Sequence, residues 1–180
     1  NILSINQFRN LKDSTKETLI KIIEDLGIPI DKKNFNLENY HLFIKSEREH
    51  QAIINKTRYL TIRDFDFDID IITNYLSHLM NIKLTSWIKE LGRSHIQVRI
   101  NRPKSLDINP PHRDGYIDVY KDVLNVWLPL AGCNKNTSLP LVPSSHLISE
   151  NQIFRTSNNG AFINKNVYRV PCILKTSSGN

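Results

Sequence analysis

Pro110-Pro111-His112-Arg113-Asp114-Gly115 is the stretch on which the reading of this chain turns, because it sets an imidazole and a carboxylate two positions apart. In an extended segment alternate side chains share a face, so His112 and Asp114 converge on one ion while Arg113 points away. Two histidines and one carboxylate form the facial set that holds Fe(II) and leaves the opposite positions open for a co-substrate and dioxygen. His112 and Asp114 supply two of those three ligands. A metal-free surface loop carrying the same three letters is the competing reading, and the flanking residues decide between the two.

Upstream, Gln97-Val98-Arg99-Ile100-Asn101 reads as a strand, followed by a polar loop from Pro103 to Asn109. Downstream, Asn125-Val126-Trp127-Leu128-Pro129-Leu130 reads as a second strand, and a turn through Gly132 to Ser138 leads to Leu139-Pro140-Leu141-Val142-Pro143-Ser144-Ser145-His146. This order resembles the phytanoyl-CoA dioxygenase-like family of Fe(II)- and 2-oxoglutarate-dependent oxygenases. In that family His-x-Asp is followed by a Trp-bearing strand, an Asn-Gly turn and a Pro-Gly-Ser-His motif. The strand from Gln97 to Asn101 is similar to the one preceding His-x-Asp in the ectoine hydroxylase branch. The resemblance spans about His95 to His146.

The resemblance implies a mainly β fold with flanking helices, a cupin-like double-stranded β-helix or jelly roll buttressed by N-terminal α-helices. It also implies that His112 and Asp114 bind iron, with 2-oxoglutarate as co-substrate. Gln97, Arg99, Asn101 and Arg102, together with Asn125 and Trp127, then lie near 2-oxoglutarate or substrate. Trp127 as plain core, and Arg99 and Arg102 as solvated strand charges, stay open as alternatives. The implied reaction is hydroxylation of a small-molecule substrate with dioxygen. Asp114 argues against halogenation, since related halogenases carry a small residue there to admit halide. Arg99, Arg102, Lys104 and Arg113 make the neighbourhood basic, which favours an anionic metabolite.

Two departures from the family pattern stand out. Ser144 replaces the usual Gly, which is tolerable only where the backbone does not require positive φ. The family's distal His ligand and its 2-oxoglutarate-binding Arg normally follow the Pro-Gly-Ser-His motif, yet no His follows His146. The chain is therefore read as trimmed, with those residues beyond Asn180; it starts at Asn1 and ends on Ser177-Ser178-Gly179-Asn180. His146 as third ligand is the alternative.

Composition fits this reading without demanding it. At 39% hydrophobic and 23% charged residues, 180 residues suffice for one globular domain with its own core. No apolar run approaches the roughly 18 to 20 residues of a membrane helix, and no signal peptide is visible, so a cytoplasmic protein with no membrane partner is expected. Cys133 and Cys172 form neither a disulfide framework nor a zinc motif. The net charge of +6 is scattered rather than clustered, so nucleic acid is not expected as a partner. Oligomeric state is not set by the sequence.

The front half looks helical. Ser14-Thr15-Lys16-Glu17 has the form of a capping box, and Leu19, Ile22, Ile23 and Leu26 follow at helical spacing before Gly27. A short helix is expected around Glu47 to Asn55. Ile69, Ile72, Leu76 and Leu79 predict a helix after the acidic lead-in Asp64 to Asp70, and Leu84, Trp87, Ile88 and Leu91 predict another, stopped by Gly92. From about residue 93 the chain reads as short strands at His95 to Arg102, Leu124 to Leu130, Leu139 to Val142 and Val167 to Leu174. A single domain results, helical over about 1–92 and β-rich over about 93–180.

His41, His50, His78 and His95 lack metal-ligand spacing, and the acidic stretch lacks the Gly and Glu of a calcium loop. Serine-hydrolase, nucleotide-loop and zinc-protease motifs are absent. The rival classes are a non-catalytic jelly-roll binding module and a basic nucleic-acid-binding protein.

Overall fold

The computed structural model describes residues 2–104, 120, 122–139, 141–149, 152–155, 162–163, 166–167 and 172–174. The chain divides into two compact units, Asn1–Asp107 with Leu128–Thr137, and Ile108–Trp127 with Ser138–Asn180.

The first unit is built on α1, Ile5–Asp25. Its capping box is at Ser4 rather than Ser14: the Ser4 hydroxyl accepts from the Gln7 amide at 3.3 Å, and Gln7 Oε1 accepts from the Ser4 amide at 2.8 Å. Once that first turn is nucleated, no Gly or Pro interrupts the run to Asp25, and each added residue gains a bond. Ser14 and Thr15 consequently lie inside the helix and are buried. Thr15 Oγ1 donates to the Leu11 carbonyl at 2.7 Å. Thr18 Oγ1 sits 2.9 Å from the Ser14 carbonyl and 2.6 Å from that of Asp64, tying α1 to the short 3-10 turn Ile62–Asp64. Gly27, at φ +70°, ends the helix as expected.

Leu19, Ile22 and Ile23 of α1 are buried, as their spacing predicts. They meet Phe35, Ile44 and Ile53, the last on α3, Glu47–Thr57. Ser46 caps α3 by accepting from the Glu49 amide at 3.4 Å. The short α2, Tyr40–Phe43, places two rings edge-on to Phe35, Tyr40 at 6.5 Å and Phe43 at 5.6 Å between centroids. Tyr40 Oη lies 3.0 Å from Nδ1 of buried His50, so this polar pair inside the core is matched.

α4, Asp70–Met80, begins where Asp68 Oδ1 accepts from the Asp70 amide at 2.9 Å, and ends at Asn81 in the left-handed region at φ 53°. Of its expected apolar face only Ile72 is buried. Leu79 is 67% exposed. The helix expected next is instead a hairpin of β1, Trp87–Ile88, and β2, Arg93–Ser94, with Trp87 opposite Ser94. A 3-10 turn, Lys89–Leu91, and Gly92 at φ +63° close it. In so short a run a spacing of three or four fits a tight turn as well as a helix, and the flanking pairing decides.

In the second unit the described strands are β3, Ile153–Arg155, paired antiparallel with β6, Cys172–Leu174, and β4, Phe162–Ile163, paired with β5, Asn166–Val167. The only other described regular element there is the 3-10 turn Ser145–Leu147.

The expectation of a mainly β double-stranded β-helix is therefore overturned: the fold is mostly helical, and its described strands are two or three residues long in two-stranded pairs. Three of the four expected strands fail for identifiable reasons. His95 to Arg102 alternates as a strand does, but its one ladder contact is the bridge from Ile96 to Leu60, and a strand exists through its partner. Leu124 to Leu130 includes Pro129, which lacks an amide donor, and leaves Leu124, Val126 and Trp127 exposed. Leu139 to Val142 is broken by Pro140 and followed by Pro143. The fourth, Val167 to Leu174, contains the last residue of β5 and the whole of β6.

The contrast between α3 and α4 sets a direct test. Ile53→Ala, at a position with 0% exposure, is expected to cost about 2–5 kcal/mol in urea denaturation. Leu79→Ala is expected to shift stability by no more than about 0.5 kcal/mol. Equal losses at both positions would contradict this packing.

Candidate functional site

His112 and Asp114, with Arg113 between them, lie outside the described residues, and the segments before and after them in the sequence are described each by itself. On the upstream side the Ile96 amide donates to the Leu60 carbonyl at 3.0 Å, which fixes the register of the chain that follows. Ile96, Val98 and Ile100 pack against the core of the first unit. Gln97, Arg99 and Asn101 alternate with them and are exposed, so the three share one outward face. Arg99 Nη2 donates to Gln97 Oε1 at 3.4 Å on that face.

Arg102 falls on the other side of the alternation. Its side chain is 11% exposed and forms an ion pair with Glu47, in the first turn of α3. Gln51 Nε2 also donates to Glu47, at 2.8 Å. These two hydrogen bonds, from Gln51 first and from Arg102 second, hold the Glu47 carboxyl below the usual range. Arg102 therefore ties the extended segment to α3, while the other three sequence-predicted residues of this segment form an open polar row.

Downstream, Asn125 and Trp127 are both exposed, and Trp127 at 44% is not a core residue. The turn after them is well specified. Gly132 takes φ +63°, Thr137 Oγ1 donates to the Gly132 carbonyl at 2.7 Å, and the Asn134 amide donates to Thr137 Oγ1 at 2.9 Å. At the Pro143-Ser144-Ser145-His146 motif, the Ser145 amide donates to the Val142 carbonyl at 3.1 Å and Ser144 has φ 59°. A left-handed residue inside a tight turn is a position that favours Gly. Ser144 thus occupies, at a steric cost, a conformation that favours Gly. His146 is exposed on the turn Ser145–Leu147.

Among the described residues no group of three or more His, Cys, Asp or Glu is placed to hold a metal. By donor chemistry an imidazole with a carboxylate suits a ferrous ion. A separate cleft of about 250 Å³, which no motif foretold, opens between α1 and the Ile62–Asp64 turn. Thr18, Lys21, Asp25, Arg63 and Asp64 line its polar side. No family model, curated protein or solved structure matches this chain.

His95 opens the extended segment and is partly buried, and burial, then the neighbouring Arg93 charge, lowers its pKa below the ordinary histidine value. The folded state therefore favours the neutral ring, whereas the unfolded chain takes up the proton near pH 6.5. Stability from this group is complete above about pH 6.5 and declines as pH falls from there toward the lower folded value. The urea midpoint of the wild type is expected to drop between pH 7.5 and 5.5, and that of His95→Gln to drop less. Identical slopes for the two proteins would remove His95 as the source.

Proposed function

We propose that this chain carries two ligands of a ferrous, 2-oxoglutarate-dependent oxygenase centre, His112 and Asp114, and that the enzyme hydroxylates a small anionic metabolite. One observation carries the reading: His112-x-Asp114 is followed in order by the Trp127 segment, the Gly132 turn and Pro143-Ser144-Ser145-His146. One structural detail supports it: Gln97, Arg99 and Asn101 stand together on an exposed face. Ser144, at φ 59°, takes a backbone conformation that favours Gly and so remains a departure from the motif. The reading rests on these local features and not on a jelly-roll fold.

A ferrous ion with 2-oxoglutarate supplies the activation of dioxygen, coupled to decarboxylation of the co-substrate to succinate. The chain's own residues bind and orient. The His112 imidazole and Asp114 carboxylate provide one neutral and one anionic donor, which offsets part of the ion's charge and leaves positions for smaller ligands. Arg102 is paired with Glu47, and Arg99, Lys104 and Arg113 add to the basic character of the sequence around the pair. A second histidine is needed to complete the set, and His146 is the one histidine that follows the pair in this sequence.

Anaerobic titration of the full-length protein with Fe(II) and 2-oxoglutarate is expected to give a weak visible charge-transfer band. His112→Ala and Asp114→Ala should each weaken iron binding by at least about a hundredfold, more than loss of a supporting residue does, with the far-UV spectrum unchanged. No band from a folded wild-type protein would reject the oxygenase and favour a non-catalytic binding module. Loss of the band in His146→Ala would make His146 the third ligand.

A further inference from the structure

The cleft between α1 and the Ile62–Asp64 turn has an apolar floor and a charged rim. Thr18, Lys21, Ile22 and Asp25 recur along α1 at helical spacing, which sets them on one face. Buried Thr18 and Ile22 form the floor with buried Leu60, while exposed Lys21, Asp25, Arg63 and Asp64 stand around it. The turn on the far side is pinned. Its Asp64 carbonyl lies 2.6 Å from Thr18 Oγ1, Asp64 Oδ2 accepts from the Thr61 amide at 2.7 Å and the Thr61 hydroxyl at 2.9 Å, and the Ile62 amide donates to Ser94 Oγ at 3.1 Å. The cleft is therefore formed in advance of any occupant, which lowers the ordering cost of binding.

The charges on this rim are unspent. Elsewhere on α1, Lys12 pairs with Glu38 and Glu24 with Lys32. Among the described residues the side chains of Lys21, Asp25 and Arg63 enter no ion pair or hydrogen bond, although all three line the same cleft. Lys21 and Asp25 are one turn apart, but a cation preceding an anion is the weaker order on a helix. Glu17, one turn before Lys21, is exposed and does not line the cleft, and the Asp64 carboxylate is committed to Thr61. Two cations and one carboxylate are thus left around a space of about 250 Å³, or roughly eight waters at about 30 Å³ each. That is below the roughly 300 to 1,000 Å³ of pockets for drug-sized ligands, so the occupant is small. A purely anionic molecule would sit against Asp25 and a purely cationic one against Lys21 and Arg63. A molecule carrying both signs satisfies all three.

We propose that this cleft binds a free α-amino acid, its carboxylate engaged by Arg63 and Lys21, its ammonium by Asp25, and its side chain over Ile22 and Leu60. The guanidinium fork matches a carboxylate with two parallel hydrogen bonds, and Lys21 adds a point charge. The inference does not depend on the oxygenase reading.

Each of the common amino acids is offered singly to the full chain, with binding read by saturation-transfer NMR and affinity by calorimetry. Binding of at least one with a small side chain is expected, and its analogues lacking the ammonium or the carboxylate should bind at least about tenfold more weakly. Arg63→Ala and Asp25→Asn, at exposed positions with no internal partner to lose, should each weaken binding at least about tenfold while the far-UV spectrum and urea midpoint stay unchanged. Failure of every amino acid to bind, or binding that neither substitution alters, overturns the proposal. So does an analogue without the ammonium that binds as tightly as the amino acid, because that result makes the cleft a site for simple anions.

Discussion

The apolar seam between α1 and α3 is the contact on which the first unit rests. Ile23 and Ile53 are wholly buried, and Phe35, Tyr40 and Ile44 from the intervening segment fill the space around them. That arrangement explains a buried hydroxyl and imidazole in an otherwise greasy interior. Tyr40 and His50 satisfy one another across 3.0 Å, and such a directional bond admits one rotation of α2 against α3 where aliphatic packing alone admits several.

From this seam the chain is laid outward in register. Leu60 leaves α3 and bonds back to Ile96, so the segment that follows lies with its even-numbered apolar residues on the core and its odd-numbered polar ones facing out. Arg102 continues the even series, which is why its guanidinium meets Glu47 instead of joining Gln97, Arg99 and Asn101. A one-residue slip would turn every one of these side chains over. The polar row of Gln97, Arg99 and Asn101 is therefore a consequence of how the first unit packs.

Sequence periodicity was a good guide to which residues share a face and a poor guide to what covers them. The α1 core positions, α3, the start of α4, and the alternation of Gln97, Arg99 and Asn101 were all legible. Ser14 mimicked a helix start because a capping box is a four-residue pattern that a continuing helix absorbs. Leu84 to Leu91 mimicked a helix because tight turns share its short spacing. The jelly roll was misjudged for a deeper reason: alternation records burial on one side of a chain, whereas a sheet requires partners whose amides are available, and Pro129, Pro140 and Pro143 withhold theirs. At the level of the site, order and spacing around His112 and Asp114 were visible in the letters, as was the suspicion attached to Ser144. The pairing of Arg102 was not, because Glu47 lies far away along the chain.

Ser144 has an implication for how this turn tolerates change. A side chain held at φ 59° needs a short, unbranched Cβ, so Asn and Gly are natural replacements, while Val, Ile and Thr would crowd the carbonyl beside them. Such a position filters the substitutions a lineage can accept by backbone geometry alone, before any chemistry at His146 or elsewhere is consulted.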